Sequence, residues 1–248
     1  PNGVQYLLDM MARFGVDSLG REASDYGLSL TLGGGEISPL ELTRAYSVFA
    51  NNGVLVDTTA ILCILDNDNN IIYQYEDGCP RGDLIQDSVV RVGLGMQMLD
   101  PRIAFFISDV LGDNSSRTPA MGSNSDLYTP GIATSVKTGT TNDVKDNWTV
   151  GYTRNVAIGV WVGNNNGDPM VNSSGLTGAA PIWNRMMTTI YNDGNLLGEF
   201  AVNGQLQNDQ RQAPAGMSQR QICNVRAMQD PTTACPSMIV EWFLDSPA

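Results

Sequence analysis

Residues 135–148 read SVKTGTTNDVKDNW, and both lysines of the chain, Lys137 and Lys145, fall inside these fourteen positions. The stretch sits in the middle of a period-two pattern: IATSVKT (132–138), then NWTVGY (147–152), then VAIGVWVG (156–163), with turn chemistry at Asn142-Asp143 and at Thr153-Arg154-Asn155. Alternation of apolar and polar residues over short runs separated by Asn/Asp turns predicts three strands joined as an antiparallel sheet. Lys137 closes the first alternation and is followed by Thr138-Gly139-Thr140. The spacing predicts an ammonium aimed into a cleft from a sheet edge, with Gly139 letting a substrate backbone approach closely. An ammonium flanked by threonine hydroxyls is a receptor for a carboxylate, and a free strand N–H at Thr140 could serve an oxyanion. The plainer reading of K-T-G taken alone is a surface turn, because a tripeptide carries little information without context.

Outward from the sheet, helices are predicted on both sides, which makes the chain α/β in the α+β sense. VQYLLDMMARFG places Val4, Leu7, Leu8 and Met11 on one helical face and ends at Gly15. Ser38-Pro39-Leu40-Glu41 is a capping box with proline at the first helical position, followed by Leu42, Ala45, Tyr46 and Phe49 at helical spacing and stopped by Asn51-Asn52-Gly53. Residues 60–65 and 71–75 flank a polar DNDNN turn and predict a surface β-hairpin within about 54–80. Asp100-Pro101 opens a helix whose buried stripe is predicted at Ile103, Phe106, Ile107, Val110 and Leu111, and residues 112–129 read as a long connection. A last helix starts at Thr177-Gly178-Ala179-Ala180-Pro181 and carries Ile182, Trp183, Met186 and Ile190. The division expected is residues 1–199 as the main unit and 200–248 as a strap-like tail.

Composition narrows the function. An apolar fraction of 42% over 248 residues supports a real core. A net charge of −12 with no basic patch repels phosphates and anionic lipid heads, so nucleic acid is excluded as a partner. There is no histidine, and Cys63, Cys79, Cys223 and Cys235 form no C-x-x-C pair, so neither a metal site nor a cofactor is expected. Cys223 and Cys235 bracket a polar, proline-containing loop, either as a disulfide suited to an oxidising, extracytoplasmic setting or as two free thiols. Gly33-Gly34-Gly35 lacks the Lys-Ser/Thr of a phosphate loop and reads as a tight, close-packed turn. Trp148, Trp161 and Trp183 read as core or cleft wall. No run of eighteen apolar residues is present and the first residue is Pro1, which reads as a processed or excised piece with any membrane anchor outside it.

K-T-G is the third element of the penicillin-binding protein and β-lactamase signature, after S-x-x-K and S-x-N. KTGTTNDVKDNWTVGYTRNVAIGVWVGN and the following SGLTGAAPIWNRMM resemble the transpeptidase domain of class A penicillin-binding proteins, bifunctional enzymes that polymerise and cross-link peptidoglycan. GLSLTLGGGEISPLELTRAYSVFANNG is similar to the stretch those proteins carry between their second and third motifs, and CNVRAMQDPTTACPSMIVEWF resembles the tail of a subset of them. The resemblance implies a penicillin-binding transpeptidase/β-lactamase-like fold, an antiparallel sheet flanked by helices. It implies roles as well: Lys137 in the electrostatics and proton traffic of the cleft, and Thr138 and Thr140 on the terminal carboxylate of a D-Ala-D-Ala stem peptide or of a β-lactam. Gly139 and Thr141 complete the substrate-binding stretch, and the Thr140 N–H would be half of an oxyanion hole. Lys145 receives no role and falls on the rim.

The chain also departs from the pattern. No serine has lysine three residues later and no S-x-N occurs, so the nucleophile, its lysine base and the middle motif are missing. The expectation is a domain truncated on its N-terminal side, needing the upstream part of the same domain as partner, with a glycosyltransferase domain and membrane anchor further upstream. The rival reading is a non-catalytic envelope binding module that keeps only the carboxylate-binding strand. A stand-alone β-lactamase is disfavoured by the missing S-x-x-K and the tail.

Overall fold

The computed structural model describes residues 2–75, 90–92, 95–201, 205–224 and 234–245. Its helices are α1 (Asn2–Arg13), α2 (Ala23–Tyr26), α3 (Pro39–Ala50), α4 (Pro101–Gly112), α5 (Asn114–Met121), α6 (Ala180–Asn192) and α7 (Gly194–Gly198). Its strands are β1 (Val54–Leu55), β2 (Cys63–Leu65), β3 (Ile71–Tyr75), β4 (Val90–Val92), β5 (Met96–Gln97), β6 (Ser135–Thr140), β7 (Asp146–Tyr152), β8 (Ala157–Gly163), β9 (Met217–Cys223) and β10 (Met238–Leu244). Among the described residues no helix is long and apolar enough to cross a membrane.

The period-two run around Lys137 folds as the antiparallel sheet β6-β7-β8. Its register sorts the side chains. Lys137, Val150 and Gly159 lie across from one another, as do Gly139, Trp148 and Trp161, so these residues share one face. Val136, Gly151 and Ile158 share the other with Thr138, Thr149 and Val160. Helix α6 closes this second face: Val136, Ile158 and Val160 pack with Ala179, Ala180, Trp183 and Met187 in one buried cluster. The approach is close enough that a Cβ on Gly151 would stand 2.5 Å from the Trp183 ring. Helix α3 crosses the first face, where a Cβ on Gly159 would meet Thr43 Oγ1 at 1.9 Å. Glycine at both positions lets helices lie directly on the strands.

The capping box of α3 forms: the Glu41 backbone N–H donates to Ser38 Oγ and the Ser38 N–H donates to Glu41 Oε2. Glu41 also accepts from the backbone N–H groups of Asp17 and Ser18, tying the α1–α2 connection to α3. Burial opposes its charge, but these bonds from Ser38, Ser18 and Asp17 hold its carboxyl down at about 2.

Helix α4 differs from expectation. Its buried residues are Ala104, Phe105 and Ser108, whereas Ile103, Ile107 and Val110 are 45%, 37% and 69% exposed. Tertiary partners decide the orientation. Ser108 Oγ donates to the Ala104 carbonyl and shares a 2.9 Å bond with Tyr152 Oη, while Ser135 Oγ donates to the Ser108 carbonyl. Burial pushes the Tyr152 hydroxyl up to about 12. Phe105 meets Trp242 of β10 edge-on, with ring centroids 5.2 Å apart. The connection read over 112–129 contains α5, whose start is capped by Asp113 accepting from the Ser116 N–H.

Within 54–80, β2 and β3 pair as a hairpin; β4, beyond that stretch, adds to β3 in parallel, and Val54–Leu55 pair with Met96–Gln97. Residues 76–80, Cys79 among them, lie outside the described residues. In the tail, β9 and β10 pair antiparallel and a disulfide joins Cys223 to Cys235. The segment before β9 is bound to the sheet: Asp209 accepts from the Arg154 N–H and the Asn155 side chain, and Arg211 donates to Ser135 Oγ at 3.4 Å.

Candidate active-site groove

Strand β6 is an edge of its sheet. Lys137 lies on the face shared with Gly139 and Trp148, and its Nζ donates to the Thr138 carbonyl at 2.6 Å. The N–H and C=O of one strand residue point to the same edge and alternate residues to opposite edges. A Thr138 carbonyl taken by the Lys137 ammonium lies on the open edge, and this places the N–H groups of Thr138 and Thr140 there as well.

That edge borders a groove of about 1050 Å³ lined by Lys137, Thr138, Gly139, Thr140 and Thr141. Val150, Trp148 and Trp161 form its floor on the same sheet face. The opposite wall is the stretch 29–37 with Pro39, Leu42 and Tyr46 of α3. The glycine triplet belongs to this wall: Gly33 has φ +91°, and a Cβ on Gly34 or Gly35 would lie within 3 Å of Ser29 or Leu19. Gly139 is different. Among the described residues a Cβ there would touch only the Trp148 Cβ at 3.5 Å, so their packing does not require glycine at this position. The methyl would instead stand up from the groove floor.

The threonine hydroxyls lie on the other face of the strand, at its open edge. Thr140 Oγ1 accepts the Gly175 N–H at 2.9 Å, while Thr149 Oγ1 donates to the Gly175 carbonyl at 3.0 Å. A hydroxyl that accepts from Gly175 keeps its own proton for a ligand. Gly175 opens the turn of residues 175–179 ahead of α6 and has no room for a side chain, since a Cβ would come within 2.4 Å of the Gly139 carbonyl. Asn147 Nδ2 donates to Ser173 Oγ from the same side. The loop before α6 thus underpins the K-T-G strand.

At the far end of β6, Asp146 fastens the corner. The Thr141 N–H donates to the Asp146 carbonyl, Thr141 Oγ1 donates to Asp146 Oδ2 at 3.0 Å, and Trp161 Nε1 donates to Asp146 Oδ1 at 2.9 Å. Lys145 also lines the groove. The five residues singled out from sequence come together here, with Lys145 exposed at the groove where the rim was expected; the glycine wall and Asp146 were not foreseen. Only the closeness of Thr141 and Asp146 across a short turn signalled the Asp146 anchor.

Residues 7–188 match the family model described as the penicillin binding protein transpeptidase domain. The chain belongs to that family. Penicillin-binding protein 1A of Neisseria meningitidis serogroup A is 35% identical over 182 residues, covering 73% of this chain and 21% of that protein. Penicillin-binding protein 1A of Rickettsia conorii is 25% identical over 197 residues, covering 77% of this chain and 24% of the relative. The chain therefore spans about a fifth to a quarter of the length of these relatives. Among solved structures, penicillin-binding protein 1A from Haemophilus influenzae superposes with a TM-score of 0.66 at 20% identity, over 98% of this chain and 36% of the other. PonA1 from Mycobacterium tuberculosis in complex with penicillin V gives 0.60 at 19% identity, over 75% and 50%. These structures show the fold, a mixed helix and sheet penicillin-binding transpeptidase domain.

Proposed function

We propose that residues 1–248 are the K-T-G-bearing part of a peptidoglycan D,D-transpeptidase that binds β-lactams and works through a serine acyl-enzyme, the serine being supplied by a segment upstream of Pro1. The open edge of β6, with Lys137 and Thr138–Thr141 along one groove, is the observation that carries this reading. A D-Ala-D-Ala terminus laid along that edge sets its carboxylate against Thr138 and Thr140 and the Lys137 ammonium, a charge-assisted arrangement. The scissile carbonyl then lies at the Thr140 N–H, where an oxyanion can be held without reorganisation. The serine oxygen adds to the carbonyl and the terminal D-Ala leaves with a proton as its amine. The amine of a second stem peptide next displaces the serine, which regains its proton, and a cross-link forms.

Two further features support an upstream partner segment. No S-x-x-K occurs in the chain, and Ile103, Ile107 and Val110 present an uncovered apolar stripe on α4 that such a segment would cover. The work is placed on the extracytoplasmic side of the bacterial membrane, in a longer polypeptide that carries the anchor and a glycosyltransferase domain. The test is the intact mass of that longer polypeptide after penicillin treatment. One adduct on an upstream serine is expected, formed about 10- to 100-fold more slowly in Lys137→Ala because a hydrogen bond to a charged group is lost. Residues 1–248 alone should show no mass change. An upstream frame without S-x-x-K and without any adduct would favour the binding module.

A further inference from the structure

The second lysine stands on a strained turn. Asp143 and Val144, just before Lys145, have φ of +61° and +56°. A left-handed backbone is uncommon for aspartate and an outlier for a β-branched valine, and such strain persists only where the surroundings hold it. Here they do. The Val144 N–H donates to the Thr141 carbonyl, the Val144 carbonyl accepts the Met170 N–H at 3.0 Å, and Asp146 clamps Thr141 and Trp161.

The residue these bonds present at the groove is Lys145, exposed and, among the described residues, without an ion pair or a side-chain hydrogen bond. Asp146, its neighbour, is occupied by Thr141 and Trp161. An uncommitted cation fixed at the mouth of a groove is unexpected in a chain of net charge −12 with two lysines in all. From Lys137 to Thr140 the strand runs about 10 Å, the length of three extended residues. A peptide whose terminal carboxylate sits at the Lys137 end would bring the group about three residues before that terminus to the turn.

We propose that Lys145 is a specificity-determining residue of this groove, and that the preferred ligand is a peptide with a second carboxylate about 10 Å from its C-terminal one. This rests on the peptide-binding reading of the groove given above. Lys137 anchors the terminus; Lys145 reads the second charge; the strained turn fixes the distance between them.

The probes are N-succinyl-D-Ala-D-Ala, with two carboxylates, and N-butanoyl-D-Ala-D-Ala, with the same acyl length and one. Their equilibrium binding to the longer polypeptide that carries the upstream segment is compared for wild type, Lys145→Gln, Lys145→Arg and Lys137→Gln, with thermal melts showing that each variant folds. The wild type should bind the succinyl peptide about two- to fivefold more tightly, the worth of a solvent-exposed ion pair, and the preference should shrink in high salt. Lys145→Gln should erase the preference without changing butanoyl binding, Lys145→Arg should keep it, and Lys137→Gln should weaken both peptides. The overall negative field disfavours a dianion, so background electrostatics would not produce the preference. A wild type without the preference, or a Lys145→Gln that retains it while both peptides still bind, overturns the assignment of Lys145 and leaves the groove intact. Failure of both peptides to bind the wild type would remove the proposed function and this inference together.

Discussion

The two faces of the β6-β7-β8 sheet do different work. Against α6, Val136, Ile158, Val160, Trp183 and Met187 are buried together, and glycine at 151 is demanded by the Trp183 ring. On the groove side the same strands present Lys137, Gly139, Trp148 and Trp161 to an open cleft, and among the described residues nothing demands the glycine at 139. Because strand side chains alternate, β6 turns Val136 into the core and Lys137 and Gly139 toward the groove, while Thr138 and Thr140 lie on the α6 side at the open edge. Mutations at buried positions and at groove positions should therefore separate.

The largest effect is expected at Trp183, fully buried in the α6 cluster. Trp183→Ala should cost about 3–5 kcal/mol in a urea melt through the cavity it leaves. Next come the two glycines of the sheet. Gly151→Ala should cost about 1–3 kcal/mol by forcing its methyl into the Trp183 ring. Gly139→Ala should leave the melt nearly unchanged and yet weaken peptide binding, and a destabilisation equal to that of Gly151→Ala would erase the distinction between the faces.

A smaller effect concerns Glu41, whose capping bonds position the groove wall. Its carboxyl, at about 2 against an ordinary 4.5, contributes stability that is present above pH 4.5 and is lost as pH falls toward 2. The contribution is about 1 kcal/mol or less after solvent screening. Urea midpoints at pH 5 and pH 2.5 should differ less for Glu41→Gln than for wild type. Smallest of all, Lys137→Ala should shift stability by no more than about 0.5 kcal/mol, as befits an exposed residue.

Much of the sheet and both flanking helices were legible because local pattern and tertiary packing agree there. The alternation around Lys137, the Ser38/Glu41 box and the proline at the start of α3 each have one low-energy solution. Helix α4 shows where legibility ends. Its apolar stripe of Ile103, Ile107 and Val110 predicts burial, yet Ser108 is buried instead because Tyr152 and Ser135 satisfy its polar atoms. Sequence periodicity reports which face is apolar and not which partners are at hand. The K-T-G residues share one strand edge and one groove, and their reading as a carboxylate receptor, made from their chemistry, is the proposal given above. The rest of the groove was legible only in part: Trp161 reads as core or cleft wall and reaches the groove through the register of the sheet, whereas Gly33–Gly35 are far from Lys137 in sequence and meet it only through the packing of the α3 side on the sheet.

The central claim, that the open edge of β6 is a peptide receptor, is tested most directly by following backbone amide resonances of the chain as N-butanoyl-D-Ala-D-Ala is added. The account predicts saturable shifts at the amides of Thr138, Gly139, Thr140 and Thr141 and at the Trp148 indole, with the α6 face unmoved. Shifts confined to other regions, or none at millimolar peptide, would contradict it.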